Sequence, residues 1–276
     1  MNYRELYDYG RERLRKANIP EAELDARLLL EEVCGTDRND LLVHGEQPVA
    51  GEQQSSFFAW IEKRSRHIPL QHILGCQEFM GLRFKVTKDV LIPRQDTETL
   101  VEEVMRGLHD GFHILDLCTG SGCILLSLLH YSNHCAGTGS DVSEAALKVA
   151  EENARALGQK AEFVRSDLFE NISGEYEVIV CNPPYIPTGE IPGLMEEVRE
   201  HDPRSALDGG EDGLCFYKKI IAQAGGYLTP GGRLYFEIGC SQAEAVSGLM
   251  KAAGYREVNV YRDLSGLDRV VSGMAR

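Results

Sequence analysis

The sequence predicts an α/β protein: a Rossmann-like doubly wound sheet, preceded by a small helical bundle and a β-hairpin linker. Three observations predict it. From Phe112 onward, apolar β-branched runs alternate with segments of helical period, the pattern of parallel strands joined by crossover helices. Within that part, Ile114 to Ile124 reads I-L-D-L-C-T-G-S-G-C-I, a strand, a glycine turn and a helix start. Ahead of it, residues 1 to 74 show helix caps and helical periods. The expected boundaries are 1–74 for the bundle, 75–93 for the hairpin linker and 94–276 for the sheet domain.

In chain order, Asn2-x-x-Glu5 forms a capping box for a first helix with Leu6, Tyr9, Leu14 and Ala17 on its apolar side. Pro20 starts a second helix, with Leu24, Leu28 and Val33 inward and Gly35 as its stop. A short segment follows at Asp40 to His44, then a helix from Ala50 to Arg66 before Pro69. The Lys63-Arg64-Ser65-Arg66-His67 cluster reads as a solvated helix end, where cations oppose the helix dipole. Between Gln77 and Pro93 the period changes around Gly81, which predicts a hairpin. A helix over 96–108 comes next. Strands are expected near 112–117, 135–141, 161–165, 176–181, 232–238, 256–262 and 268–273, and helices near 122–131, 143–157, 214–224 and 241–253. Ser241-x-x-Glu244 reads as a capping box for the last helix. Residues 186–213 have little periodicity and are acidic (Glu196, Glu197, Glu200, Asp202, Glu211 and Asp212 among them), and read as a lid or partner-contact loop.

Composition narrows the function. Net charge is −14, so affinity built on nonspecific phosphate contacts is not expected. Eight cysteines occur with no C-x-x-C pair, and several lie in apolar runs (Cys118, Cys123, Cys181, Cys240). Together with a charged first stretch, Met1 to Leu14, this predicts buried free thiols in a reducing cytoplasm. No apolar run approaches membrane-spanning length. His130, His134 and Cys135 stand close in sequence, but no carboxylate or further cysteine falls in register, so no metal site is expected.

The chemistry concentrates at Tyr176 to Tyr185, Y-E-V-I-V-C-N-P-P-Y. Its β-branched run ends at two prolines, which cannot donate to a sheet ladder, so Asn182-Pro183-Pro184-Tyr185 sits at the carboxyl edge of a strand. An amide or exocyclic amine is a poor nucleophile because its lone pair is delocalised. Alkylating it requires that both N–H groups be held and the lone pair aimed. The Asn182 side-chain oxygen and the Pro183 carbonyl can accept those two N–H groups. Pro184 stiffens the turn, and the Tyr185 ring can lie on the planar group.

A cofactor site is read upstream. Cys118, Thr119, Gly120, Ser121 and Gly122 form the glycine turn, but Leu125 stands where a third dinucleotide glycine belongs. Asp141 ends the next strand, about twenty residues on, where a carboxylate can accept ribose hydroxyls. Asp167 and Leu168 follow the strand after that, set to accept an adenine amino group and to offer a backbone N–H and an apolar wall. Ribose and adenine recognition without a pyrophosphate site fits S-adenosylmethionine better than a dinucleotide.

The ordered set of motifs resembles the HemK/PrmC protein-(glutamine-N5) methyltransferases, which modify peptide chain release factors. The resemblance rests on Pro69-Leu70-Gln71-His72-Ile73-Leu74-Gly75, Leu91-Ile92-Pro93-Arg94 with Thr97-Glu98, and the 116–123 loop. It continues through Asp141-Val142-Ser143, the 182–185 tetrapeptide, Ala206-Leu207-Asp208-Gly209-Gly210, Glu237-Ile238-Gly239 and Asp268-Arg269-Val270-Val271. It implies a class I S-adenosylmethionine-dependent methyltransferase domain, with product S-adenosylhomocysteine, and an N-terminal helical domain that recognises substrate. It further implies that Thr119 to Gly122, Asp141, Leu168 and Asn182 touch the cofactor. Asn182 to Tyr185 would hold the glutamine of a Gly-Gly-Gln loop. The chain departs from the family at Cys118, where many members carry glycine, and at Gln95, where proline is common. The expected partner is a release factor, with no membrane or direct nucleic-acid contact, and the expected state is a cytoplasmic monomer. Two rivals share features of the site: an adenine-N6 DNA methyltransferase, which uses the same tetrapeptide on a flipped base, and a nonenzymatic cofactor-binding protein.

Overall fold

The Asn2 signal is realised as written. Asn2 Oδ1 accepts from the Glu5 N–H at 2.8 Å, and the Asn2 N–H donates to Glu5 Oε2 at 3.0 Å. This box opens α1 (Tyr3–Lys16), followed by α2 (Ala22–Cys34), α3 (Arg38–Val43), α4 (Gly51–Arg64) and α5 (Leu70–Leu74). The computed structural model describes residues 1–276, and the chain divides into two compact units. The first is Met1–Gly75 together with Met195–His201; the second is Cys76–Leu194 together with Asp202–Arg276.

In the first unit, Leu6, Leu14, Ala26, Leu29, Leu30, Phe57 and Ile61 form the core. The buried face of α2 is Ala22, Ala26, Leu29 and Leu30, an i, i+4, i+7, i+8 stripe. That phase turns Leu24 outward, contrary to the sequence reading, and Tyr9 is also exposed. Helix α2 begins at Ala22, two residues after Pro20, and Gly35 ends it at φ 63°. Arg64, expected in a solvated cluster, is instead buried: its Nε donates to Asp25 Oδ2 at 2.6 Å and its Nη2 to Glu197 Oε1 at 2.7 Å.

The second unit opens with the hairpin β1 (Cys76–Phe79) and β2 (Leu82–Lys85). Met80 and Gly81 both have positive φ, the geometry of a two-residue hairpin turn. After α6 (Glu98–Gly107) come β3 (His113–Leu117), α7 (Cys123–Tyr131), β4 (Ala136–Asp141), α8 (Glu144–Leu157), β5 (Glu162–Arg165) and β6 (Tyr176–Cys181). The stretch read as irregular holds α9 (Glu196–His201), which belongs to the first unit, and α10 (Arg204–Leu207). Then follow α11 (Cys215–Ala224), β7 (Leu228–Glu237), α12 (Ala243–Ala252), β8 (Arg256–Arg262) and β9 (Asp268–Met274).

The seven-stranded sheet has the order β5-β4-β3-β6-β7-β9-β8. The pairs from β5 to β7 are parallel, and β9 runs antiparallel to both of its neighbours. Strand order reverses between β3, which continues to β4 on one side, and β6, which flanks it on the other. An open α/β sheet leaves a crevice at the carboxyl ends of such a pair. Two apolar clusters cover the sheet, one around Ile179, Leu234, Phe236 and Tyr217, the other around Ile114, Leu125, Leu128 and Val180. No helix is long and apolar enough to cross a membrane.

Candidate active site

Strands β3 and β6 are in parallel register, with Leu117 opposite Cys181. The residues that follow, Cys118 and Asn182, therefore emerge side by side at the switch point. A cavity of about 360 Å³ opens there, within the usual range for small-molecule sites. It is lined by Cys118, Thr119, Gly120 and Ser121 after β3, by Asp141 after β4, by Asp167 and Leu168 after β5, and by Asn182 and Pro184 after β6. Nine of the twelve sequence-read residues, spread over four strand ends, thus meet in one cavity; Gly122, Pro183 and Tyr185 are the exceptions.

Gly122 serves packing instead. It is the N-cap of α7 at φ 79°, and a Cβ there would lie 3.1 Å from Leu126 Cδ1 and 3.2 Å from Ala150 Cβ. Glycine lets α7 approach α8 at that point. Pro183 and Tyr185 do not line the cavity either. Pro183 is buried, and the Tyr185 hydroxyl turns toward Glu237 Oε1 at 3.4 Å. Burial raises the Tyr185 phenol well above its ordinary range, and the Glu237 carboxylate adds to this, so Tyr185 stays neutral and acts as a donor.

The glycine turn is braced from within. The Thr119 N–H donates to the Ser140 carbonyl at 2.9 Å, the Gly122 N–H to the Thr119 carbonyl at 2.8 Å, and the Gly120 N–H to Asp141 Oδ2 at 3.0 Å. Asp141 Oδ1 accepts from the Ser143 N–H at 2.9 Å. Three backbone N–H groups of the turn are therefore already engaged. Asp141 is fixed by two backbone donors and retains lone pairs for a diol. Burial raises its pKa, and those backbone hydrogen bonds oppose the rise. The exposed Asp167 carboxylate and the buried Leu168 flank an apolar wall that includes Val142 and Ile124. These groups fit a ribose and adenine with no phosphate, which is the chemistry of S-adenosylmethionine.

Beneath the loop, Asp116 is fully buried; Thr119 Oγ1 donates to its Oδ2 at 2.6 Å, and burial pushes its pKa up to about 7. Cys118 and Leu168 both hold positive φ, 58° and 50°, which non-glycine residues adopt at some cost. A glycine at Cys118 would not incur that cost. Ser166 supports Leu168, donating to its carbonyl at 2.8 Å while accepting from the Asn171 N–H at 2.9 Å.

Sequence reasoning missed the frame behind the tetrapeptide. Asn182 Nδ2 donates to Thr97 Oγ1 at 3.4 Å, and Gln242 Nε2 donates to the Tyr185 carbonyl at 2.9 Å. Gln242 Oε1 also accepts from the Gly239 N–H at 3.0 Å. This use of Gln242 replaces the capping box expected at Ser241: α12 has Gln242 as its N-cap and no side-chain cap bond. The Ile186 N–H donates to the Leu207 carbonyl at 3.0 Å, and the Gly209 N–H to the Ile186 carbonyl at 2.8 Å. A Cβ on Gly209 would sit 2.7 Å from Tyr185 Cα, so the Gly209-Gly210 pair marks where one backbone lies directly on another.

The remaining singled-out residues go elsewhere. His130 Nδ1 meets Gln159 Nε2 at 3.4 Å, Cys135 Sγ donates to the His109 carbonyl at 3.4 Å, and no group of three His, Cys, Asp or Glu side chains is placed to hold a metal. Cys123 and Cys181 are buried, whereas Cys240, read as buried, is exposed because it lies in the turn after β7.

Comparison with known proteins identifies the family. Residues 5–75 match the PrmC N-terminal domain and residues 95–200 the methyltransferase small domain. The release factor glutamine methyltransferase of Moorella thermoacetica is 43% identical over 275 residues, covering 98% of this chain and 97% of that protein. That of Geobacter sulfurreducens is 41% identical over 271 residues, covering 98% and 95%. Among solved structures, a methyltransferase from Pyrococcus furiosus superposes with a TM-score of 0.57 at 16% identity, covering 77% of this chain and 98% of that one. The fold is that of class I methyltransferases. The chain belongs to the release factor glutamine methyltransferase family, whose members are S-adenosylmethionine-dependent enzymes.

Proposed function

We propose that this protein methylates the side-chain amide nitrogen of the glutamine in the Gly-Gly-Gln motif of peptide chain release factors. The observation that carries the reading is the convergence of the Asn182 tetrapeptide and the Asp141–Leu168 cavity at one pair of strand ends. When bound, S-adenosylmethionine supplies a methyl group on a sulfonium, a good leaving group, so transfer to nitrogen needs neither a metal nor a strong base.

The chain's own residues then bind and orient. Asp141 holds the ribose diol, Asp167 the adenine amino group, and Leu168 the ring edge. Asn182 Oδ1 and the Pro183 carbonyl accept the two N–H groups of the glutamine amide and aim its nitrogen, while Tyr185 packs beside it. Positioning of this kind can remove about 7–11 kcal/mol of a barrier. The proton lost from the alkylated nitrogen passes to water.

Adenine-N6 methylation would use the same acceptors. It is disfavoured by the net charge of −14 and by full-length relatives that carry the glutamine name. The acting form is taken to be a cytoplasmic monomer that recognises its protein substrate through the helical unit, without nucleic acid. Incubation with a release factor and S-adenosylmethionine, followed by tandem mass spectrometry, tests the reading. One methyl on the Gly-Gly-Gln glutamine is expected; a methyl elsewhere, or none, refutes it.

A further inference from the structure

Two prolines in the tetrapeptide fix φ at 183 and 184, but they leave ψ free and offer no N–H to a neighbour. A bend so short of donors has to be held by its carbonyls. The Tyr185 carbonyl accepts from Gln242 Nε2 at 2.9 Å. The same amide reaches two further segments: Nε2 donates to the Gly213 carbonyl at 3.3 Å, and Oε1 accepts from the Gly239 N–H at 3.0 Å. A primary amide carries two N–H groups and an acceptor oxygen, and backbone engages both kinds here. The partners also fix its orientation. Turned over, the amide would set its oxygen against two carbonyls and its N–H groups against an N–H.

The surroundings are shaped to this one side chain. A Cβ on Gly213 would lie 2.8 Å from Gln242 Nε2 and 2.4 Å from the Tyr185 oxygen, and one on Gly239 would lie 3.1 Å from Gln242 Oε1. Bare backbone on either side lets the chain close on the amide. Tyr217, fully buried, donates from its hydroxyl to the Glu237 carbonyl at 2.9 Å and so steadies the strand end that leads to Gly239. None of these contacts serves the helix that Gln242 begins. It stands at the N-cap of α12, where short side chains such as Ser, Thr, Asp and Asn are favoured, and it makes no side-chain cap bond.

We propose that Gln242 is a positioning residue for methyl transfer: its amide clamps the Tyr185 carbonyl to the Gly213 and Gly239 backbones, and so sets the Pro183 carbonyl and the Tyr185 ring where the substrate amide needs them. The proposal rests on the reading of the reaction given above and deepens it. On one side the tetrapeptide is anchored by β6, whose Cys181 lies opposite Phe236 of β7. On the other, Gln242 holds the Tyr185 peptide itself. Ile186, the next residue, is tied to Leu207 and Gly209, so loss of Gln242 loosens the bend and leaves the sheet edge in place.

The test measures kcat and KM on a release factor, calorimetric Kd for S-adenosylmethionine and a thermal melt in the parent, Gln242→Met and Gln242→Glu. Methionine keeps the length of the side chain and removes its hydrogen bonds to Tyr185, Gly213 and Gly239. Glutamate, ionised at about pH 8, keeps the acceptor for Gly239 and turns a second oxygen on the two carbonyls. Assayed well below its melting temperature, Gln242→Met should lose about 100-fold in kcat, as misplacement of a reacting group does. Its KM and cofactor Kd should stay within about threefold of the parent. Gln242→Glu should lose at least as much, because acceptor then faces acceptor. A residue that only steadied α12 would lower the melt and leave kcat alone. Parent-like kcat in either folded variant, or a loss carried by KM or cofactor Kd, would therefore overturn the clamp. If one variant does not fold, the other decides. A parent that leaves the glutamine unmethylated refutes the reaction itself, whereas an active parent beside an unimpaired Gln242→Met refutes only the clamp.

Discussion

Asn182 has to be an asparagine for a reason visible at the level of its atoms: one end is tied to Thr97 and the other is left to accept. Asn182→Ala removes the acceptor and the tie together. Its kcat should fall by about 100-fold or more, in line with loss of one preorganised polar contact, and a folded variant with near-parent turnover would contradict the role. Two buried carboxyls give a second prediction. Burial raises Asp116 and Glu237 from 3.8 and 4.5 to about 7. A carboxyl raised in the folded state contributes stability that is complete below its unfolded pKa and is lost as pH rises through the folded value. Urea melts should therefore show stability declining from about pH 5 to 7, and Asp116→Asn should show a shallower decline. An unchanged slope in the variant would contradict the assignment. At this scale the sequence revealed Asn182, Asp141, Asp167 and Leu168, because each follows a recognisable strand. Thr97 and Gln242 stayed hidden because their partners are 85 and 57 residues away.

Elements rather than single groups explain the glycines after the tetrapeptide. Gly209 lies against Tyr185 Cα, where no side chain fits. Gly209→Ala must push the tetrapeptide aside, at a cost of about 1–3 kcal/mol in stability and about 100-fold in kcat; chemical denaturation and steady-state kinetics check both. In the helical unit, Arg64 joins α2, α4 and α9 through Asp25 and Glu197. Arg64→Ala strands the Asp25 carboxylate in the interior, where burial already pushes its pKa up. A loss of about 3–5 kcal/mol is expected from denaturant melts; a loss below about 1 kcal/mol would mean that the pair is effectively solvated. Strands and long helices were legible from period alone. Helices of six and four residues, Glu196–His201 and Arg204–Leu207, were not, because they are too short to display a helical repeat. The Arg64 cluster was misread for a related reason: adjacent charges say nothing of which one points inward.

For the molecule as a whole, strand order does what no single motif does. Residues 118, 141, 168 and 182 are scattered along the chain, and the reversal between β3 and β6 gathers them at one sheet edge. The alternating pattern predicted such an edge; the cavity's volume and the frame behind it depend on side-chain packing that periodicity does not encode. With a net charge of −14, the protein should fail to retard duplex DNA at low salt, and a salt-dependent shift would instead support base methylation. The central claim is that the tetrapeptide and the adenosyl cavity present a glutamine amide to one electrophilic carbon. A crystal structure with S-adenosylhomocysteine and a Gly-Gly-Gln peptide tests it most directly. The account predicts the sulfur facing the amide nitrogen, with Asn182 Oδ1 and the Pro183 carbonyl on its two N–H groups; a sulfur turned away from the tetrapeptide would contradict it.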